Sequence, residues 1–406
     1  MTFLVFFQAY MVAPLIPRLA TVFAAPPTSV GLAVPAYLIP YGCATLVYGI
    51  LSDRVGRARV MLASLAAFLL FVPLTATAGS VRELIAWRVA AGLGASGIVP
   101  IALALVGDLY PYEQRGRPLG WLFGAMAGGM AVGAPLGALL EPAVGWRGVF
   151  LMVGVLTVPV AVVLLRLLRR RDRAGAGAAG AAHQAPPRAT AGTPSAPRPL
   201  TATLRELGRT YGLLLAPGRG LGTYAFVFLN GVFHSGVFTW LGLYLSQRYG
   251  LAEVGIGLAL LGYGVPGLLL GPVIGRAADR WGRRWLIPAG IGLAATAALV
   301  LTPDLPLALA TVAIVVLSLG YDMTQPLLAG IVTRLGTALG GGRGGQAMGL
   351  NVFLLFTGSG LGSLIFGSVV AASGLASALL AFGAVQLVAG LLAVPLFRDE
   401  QRQHAA

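Results

Sequence analysis

Long apolar stretches, broken at short intervals by arginine, proline and glycine, set the pattern of this chain. They fall at about 3–24, 29–51, 58–78, 82–107, 117–140 and 147–168, then resume after a gap at about 220–246, 254–275, 285–302, 305–332, 346–371 and 374–397. A helix needs roughly 20 mostly apolar residues to cross the hydrocarbon core of a bilayer, and most of the runs reach that length. They are continuous, whereas the strands of a membrane β-barrel alternate. The pattern predicts an all-α membrane protein of twelve transmembrane helices: six, a connector, and six more. The expected units are an N-terminal six-helix bundle over 1–168, a largely disordered cytoplasmic linker over 169–209, a C-terminal six-helix bundle over 210–397, and a cytoplasmic tail over 398–406.

Composition supports this reading. Of the 406 residues, 57% are hydrophobic and 10% charged, with a mean hydropathy of +0.85; soluble domains run about 45–50% apolar and about 25% charged. An ordinary soluble enzyme is excluded. The 58 glycines and 26 prolines suit membrane helices, which tolerate both. All 28 basic residues are arginine, and the net charge is +15. Their clustering between apolar runs follows the positive-inside rule rather than a nucleic-acid surface. With both termini in the cytoplasm, 23 arginines fall on that side and 4 on the other, while Arg88 lies within a span. The expected location is the cell's inner (plasma) membrane. Met1 to Phe7 carry no basic n-region and precede no small-residue cleavage site, so the first run reads as a retained span. The single cysteine, Cys43, allows no disulfide framework or thiolate metal site. Within the gap, alanine, glycine, proline and scattered arginines offer nothing that buries a core, except that Leu200 to Leu215 predicts a short amphipathic helix at the membrane surface.

One loop occurs twice. Gly49, Asp53, Arg54, Gly56 and Arg57 recur as Gly275, Asp279, Arg280, Gly282 and Arg283, 226 positions later and in identical spacing. Each copy follows the second span of its half. The glycines permit a tight turn, an aspartate at a membrane boundary accepts hydrogen bonds from an open helix N-terminus, and the arginines anchor in anionic lipid. The arginines read equally as topology signals alone. Duplicated six-span halves in parallel orientation point to a two-domain transporter with its pathway between the halves.

These residues resemble the loop between helices 2 and 3 of the major facilitator superfamily and its pseudo-repeat between helices 8 and 9. The resemblance covers the chain apart from linker and tail, and implies that family's fold: two pseudo-symmetric six-helix bundles. It implies that Asp53 meets the start of the eleventh span near Gly344 to Gly349, that Asp279 meets the start of the fifth near Gly116 to Gly120, and that Asp108, Glu113 and Arg115 form a charge relay with the loop arginines. Arg88-Val-Ala-Ala-Gly92 in the fourth span resembles the arginine–glycine pattern of the drug:proton antiporter branch, with Ala91 where glutamine is usual. Gly133-Ala-Pro135-Leu-Gly137-Ala resembles a degenerate antiporter motif at the end of a glycine stripe that includes Gly124 and Gly128. Small residues at four-residue steps let another helix pack closely, so packing explains the stripe equally well. The fragment Gly145-Trp-Arg-Gly-Val-Phe150 is similar to the family and carries no identifiable chemistry.

A coupled transporter needs a group whose protonation changes with access state. Asp322 is the carboxylate deepest in any apolar run, beside Tyr321, Thr324, Gln325 and the helix-bending Pro326; it is either a proton carrier or a structural carboxylate near a helix end. Arg88 either faces the bundle interior or snorkels from its nearby span end. His234 either titrates or is hydrogen-bonded in packing. Gln8, Tyr37, Tyr41, Asn230, Trp240, Tyr263 and Gln325 are candidate cavity liners, and Gln8, Tyr10, Pro14 and Pro17 make the first span polar and bendable. No phosphate loop, metal cluster or nucleophile–base pair is present in the sequence, so neither ATP-driven transport nor an enzyme is expected, nor any cofactor. The expected function is secondary transport of a small organic solute by a monomer in the lipid bilayer, exchanging it for protons and most readily outward. A proton symporter or passive facilitator for uptake, and a non-transporting receptor, are the alternatives.

Overall fold

A computed structural model of the chain describes residues 1–109, 116–182, 200–216, 218–339 and 344–398. Among the described residues there is no strand, and nine stretches are long and apolar enough to cross a membrane. Two of these are double. Gly124–Arg166 breaks at Gly145 (φ 69°, ψ 161°), and Gly344–Leu396 breaks at Gly374 (φ 85°, ψ 170°). Arg283–Val300, whose leading arginines lower its hydropathy, supplies the remaining helix. The spans are therefore Thr2–Val22, Pro27–Tyr48, Arg57–Thr75, Val81–Leu103, the two parts of Gly124–Arg166, then Gly218–Tyr249, Glu253–Ala278, Arg283–Val300, Leu307–Ala338 and the two parts of Gly344–Leu396. Twelve helices in two six-helix bundles result, as the apolar pattern predicts.

The backbone repeats between halves as the sequence does. Gly56 (φ 102°, ψ 132°) and Gly282 (φ 83°, ψ 151°) each end one span and open the next, a left-handed conformation that favours glycine. The breaks at Gly145 and Gly374 form a second such pair.

Several features depart from the apolar pattern. The first span is broken: Thr2–Tyr10 and Ile16–Val22 flank a 3₁₀ turn at Ala13–Leu15, where Pro14 removes a backbone donor. The fourth is interrupted between Ala95 and Ile98. The sixth does not stop at 168, where the linker was expected to begin, but stays helical to Ala182, because its alanines and arginines are strong helix formers. The linker's expected amphipathic helix is present as Leu200–Leu215. Its Thr210 and Leu214 are buried, while Arg205 and Arg209 face outward.

The glycine stripe of the fifth span carries the first. A Cβ on Gly133 would lie 2.7 Å from the Phe7 carbonyl oxygen, and one on Gly137 would lie 2.7 Å from that of Met11. Arg18 ties the same pair of helices by donating from Nε to Glu141 Oε1 at 3.1 Å. Pro135 turns instead toward Gly257 of the eighth span, so the antiporter-like segment lies where helices of both halves converge. Gly124 faces open space. Gly133→Val is expected to lower stability by about 1–3 kcal/mol through overpacking, whereas Gly124→Ala should be near neutral. Unfolding midpoints of the two purified variants check this.

The halves meet along three seams: first span on seventh (Pro14 on Gly242), second on eleventh (Ile39 on Gly360, Gly42 on Thr357), and fifth on eighth (Pro135 on Gly257). These contacts lie at mid-membrane and toward the face opposite the arginine turns. At that face the Trp240 indole fits against Gly31 of the second span and Gly367 of the eleventh, its Nε1 donating to the Ser363 carbonyl at 3.1 Å.

Candidate functional site

The break in the first span leaves the carbonyls of Gln8 and Ala9 where the helical ladder lapses. A second lapse, between Gly31 and Pro35, does the same to Ala33. Arg88 of the fourth span answers all three: Nε donates to Ala33 at 2.9 Å, Nη1 to Gln8 at 3.1 Å and Nη2 to Ala9 at 3.2 Å. Its guanidinium lies 4.5 Å from the Tyr37 ring centroid, and Tyr37 in turn donates to the Val5 carbonyl at 3.4 Å. Arg88 is fully buried, which excludes snorkelling. Irregular backbone at membrane depth persists only where its polar groups find partners, and Arg88 provides them for two helices at once.

The centre of the molecule is aromatic. Tyr10 of the first span meets Phe238 of the seventh at 5.8 Å between centroids, and Phe238 meets Tyr263 of the eighth at 4.4 Å. Tyr321 of the tenth lies edge-on to His234 at 5.0 Å. Tyr10, Tyr263 and Tyr321 are within electrostatic range of one another, and Asp322 is within range of the latter two. Asp322 is partly exposed. It accepts from Ser318 at 3.4 Å, and its carboxylate lies over Gly267, where a Cβ would come within 2.7 Å of Oδ1. The missing side chain lets that carboxylate lie close against the eighth span.

The other candidate liners divide. Asn230 donates to Gln325 Oε1 at 3.0 Å and accepts from Thr324 at 3.1 Å, a satisfied bridge between the seventh and tenth spans. Both side-chain polar atoms of Gln8, both ring nitrogens of His234 and the Tyr41 hydroxyl are buried and find no partner among the described residues. Tyr41 stacks on Tyr37 and meets Phe356 of the other half at 4.8 Å. Trp240 is occupied by packing at the seam. The ring contacts of Tyr10 and Phe238 were missed in the sequence; the available signal was that Phe238 stands one helical turn from His234 and Tyr10 just ahead of a proline break. Arg147, in the fragment without evident chemistry, donates to the Ala78 carbonyl at 3.2 Å and covers Trp146, so it pins the sixth span to the end of the third.

Of the repeated loop, Gly56 and Gly282 form the turns, Gly275 opens on empty space, Arg280 is exposed, and Arg54, Arg57 and Arg283 have interaction partners. Glu113 and Arg115 lie outside the described residues, as do the side chains of Asp53, Asp108 and Asp279.

Two six-helix halves around an aromatic centre, with the partly exposed carboxylate of Asp322 beside it, are the architecture of a carrier of small molecules across a membrane. The family profile of the Major Facilitator Superfamily matches residues 1–342 and 228–406, and the chain belongs to that family: it is a multi-pass membrane transporter and not an enzyme. It is 26% identical over 390 residues, 95% of this chain and 88% of the other, to the uncharacterized MFS-type transporter YwfA of Bacillus subtilis (strain 168). It is 30% identical over 250 residues, 61% of this chain and 57% of the other, to a chloramphenicol resistance protein of Streptomyces lividans. The chain spans only 32% and 22% of the length of two other curated relatives that it matches, a probable L-galactonate transporter of Escherichia coli (strain K12) and multidrug resistance protein 3 of Bacillus subtilis (strain 168). Among solved structures, that of a D-xylose-proton symporter superposes with a TM-score of 0.74 at 16% identity, over 98% of this chain and 96% of that one. That likeness is one of fold.

Proposed function

We propose that this transporter exports a small organic solute in exchange for protons, with Asp322 as the group that takes up and releases the proton. The observation that carries the proposal is Asp322 itself: a partly exposed carboxylate of the tenth span, lying against Gly267 of the eighth and within electrostatic range of Tyr263 and Tyr321. A proton carrier has to reach the cavity in each access state, and Arg88, locked on three carbonyls, is not placed to do so. The outward direction is supported by similarity to a protein named for chloramphenicol resistance. The arginine turns face the cytoplasm with both termini, and Asp53 and Asp279 bias the equilibrium between access states. One chain supplies both halves, so the unit is a monomer.

The test is transport by purified protein in proteoliposomes under an imposed pH gradient. Asp322→Asn is expected to reduce gradient-driven flux to background, Asp322→Glu to retain part of it, and solute counterflow without a gradient to persist in both. Gradient-driven flux at the wild-type level in Asp322→Asn rejects the assignment. Flux that ignores the gradient in the wild type makes the protein a facilitator.

A further inference from the structure

We propose that the outward face of the linker helix Leu200–Leu215 is a docking surface for the headgroups of anionic phospholipids, held by Arg205 and Arg209.

The helix is fixed to the protein along one side. Thr210 and Leu214, one turn apart, are buried, and Tyr211 and Leu215 pack beside them against the apolar core. That side rests on the seventh span and on Gly344–Leu396, so the helix rides on the C-terminal half. Side chains three and four positions apart share a helix face, and docking at Thr210 and Leu214 turns positions 205, 208, 209 and 212 outward. All four are exposed. Leu213, 39% exposed, stands at the edge of the same face.

Charge then selects the occupant. Arg205 and Arg209 have no hydrogen bond or ion pair among the described residues. Other arginines are committed inside the protein: Arg88 to backbone carbonyls, Arg18 to Glu141 and Arg248 to Asp304. Between Arg198 and Arg219 the sequence sets four arginines against one acid, Glu206, a net charge of +3. The helix leads directly into the seventh span, at the end of the molecule where the Gly56 and Gly282 turns lie. It therefore sits at headgroup depth, where a guanidinium fork pairs two oxygens of a phosphate. A zwitterionic headgroup carries the same phosphate with its charge cancelled, so the net-anionic lipid is preferred. Leu213 decides between a lipid and an acidic protein segment: an exposed leucine beside two unpaired arginines suits the boundary of headgroup and acyl chain. An acidic segment would leave that leucine unmatched.

The experiment uses the full-length protein in phosphatidylcholine nanodiscs, with Cys43→Ala and a bimane fluorophore on Gly208→Cys. A Cβ at Gly208 meets open space, as does one at Gly212, so Gly212→Cys serves as a second reporter if the first fails to fold. Two quenchers are compared, phosphatidylglycerol and phosphatidylcholine carrying the same nitroxide near the headgroup. Phosphatidylglycerol is expected to be enriched at the bimane by about 5- to 30-fold, the contribution of two arginines at a lipid surface. High salt should collapse that preference. Arg205→Gln with Arg209→Gln should bring the two lipids within about twofold of each other, while lysine at both positions keeps most of the difference, because the attraction is one of charge. Equal quenching by the two lipids overturns the proposal and gives the face to an acidic protein segment instead. A preference that survives the double glutamine variant, or that ignores salt, overturns it as well, since the lipid would then be held by other groups.

Discussion

Arg88→Ala should cost the folded protein about 3–5 kcal/mol, the range seen when one partner of a buried charged contact is removed, and should appear as a large fall in unfolding midpoint and in the yield of monodisperse protein. The magnitude follows from what the guanidinium holds. Three carbonyls, two at the break of the first span and one at that of the second, have Arg88 as their donor, and each buried polar group left unsatisfied costs about 1–3 kcal/mol. The Tyr37 ring loses its cation as well. Arg88→Lys keeps the charge but not the planar fork of donors. Its ammonium cannot reach three acceptors in those directions, so an intermediate loss is expected. The two roles open to this residue separate cleanly in that variant. A strap that holds broken helices loses stability while the pH dependence of its residual transport stays that of the wild type. Unchanged stability together with a displaced pH profile would place Arg88 in the proton path.

The architecture was legible in the sequence to the extent that its causes are local or repeated. Apolar runs give spans because the bilayer demands them, and the spacing from Gly56 to Gly282 reappears as two turns of the same left-handed backbone. The break in the first span was visible in Pro14 and Pro17. Its consequence was not, because the donor that repairs it stands about 80 positions away on the fourth span. For the same reason one sequence does not tell a snorkelling arginine from a buried one: the distinction depends on helix rotation. Asn230 and Gln325 were both legible as polar positions inside spans, yet their pairing across the seventh and tenth spans is a tertiary fact. Trp240 shows the opposite failure, an aromatic in a polar neighbourhood that reads as a cavity liner and is occupied by packing. The glycines that receive it, Gly31 and Gly367, are ordinary loop and stripe residues until the two halves are brought together.

That wedge carries the second large effect. Gly31→Leu is expected to shift the protein toward conformations open on the face opposite the arginine turns, by about 5- to 150-fold. A Cβ at Gly31 would lie 2.7 Å from the Trp240 Cζ2, closer than carbon atoms pack, and the indole is held where it is: Nε1 donates to the Ser363 carbonyl and the ring lies against Gly367. Overpacking of this kind costs about 1–3 kcal/mol, and the cost falls only on the state in which the seam is closed, because Gly31 and Trp240 belong to different halves. A ligand or mutation moves an equilibrium by its differential effect on the two states, so the whole penalty becomes a population shift. A Cys43→Ala background carrying Thr28→Cys, beside the cleft of about 170 Å³ at the seam, reports it through labelling by a membrane-impermeant maleimide. Labelling should accelerate with Gly31→Leu and return toward the starting rate when Trp240→Ala is added, since the second change removes the ring that the leucine strikes. Acceleration that persists in the double variant would show that the leucine acts elsewhere and that the indole does not close the seam.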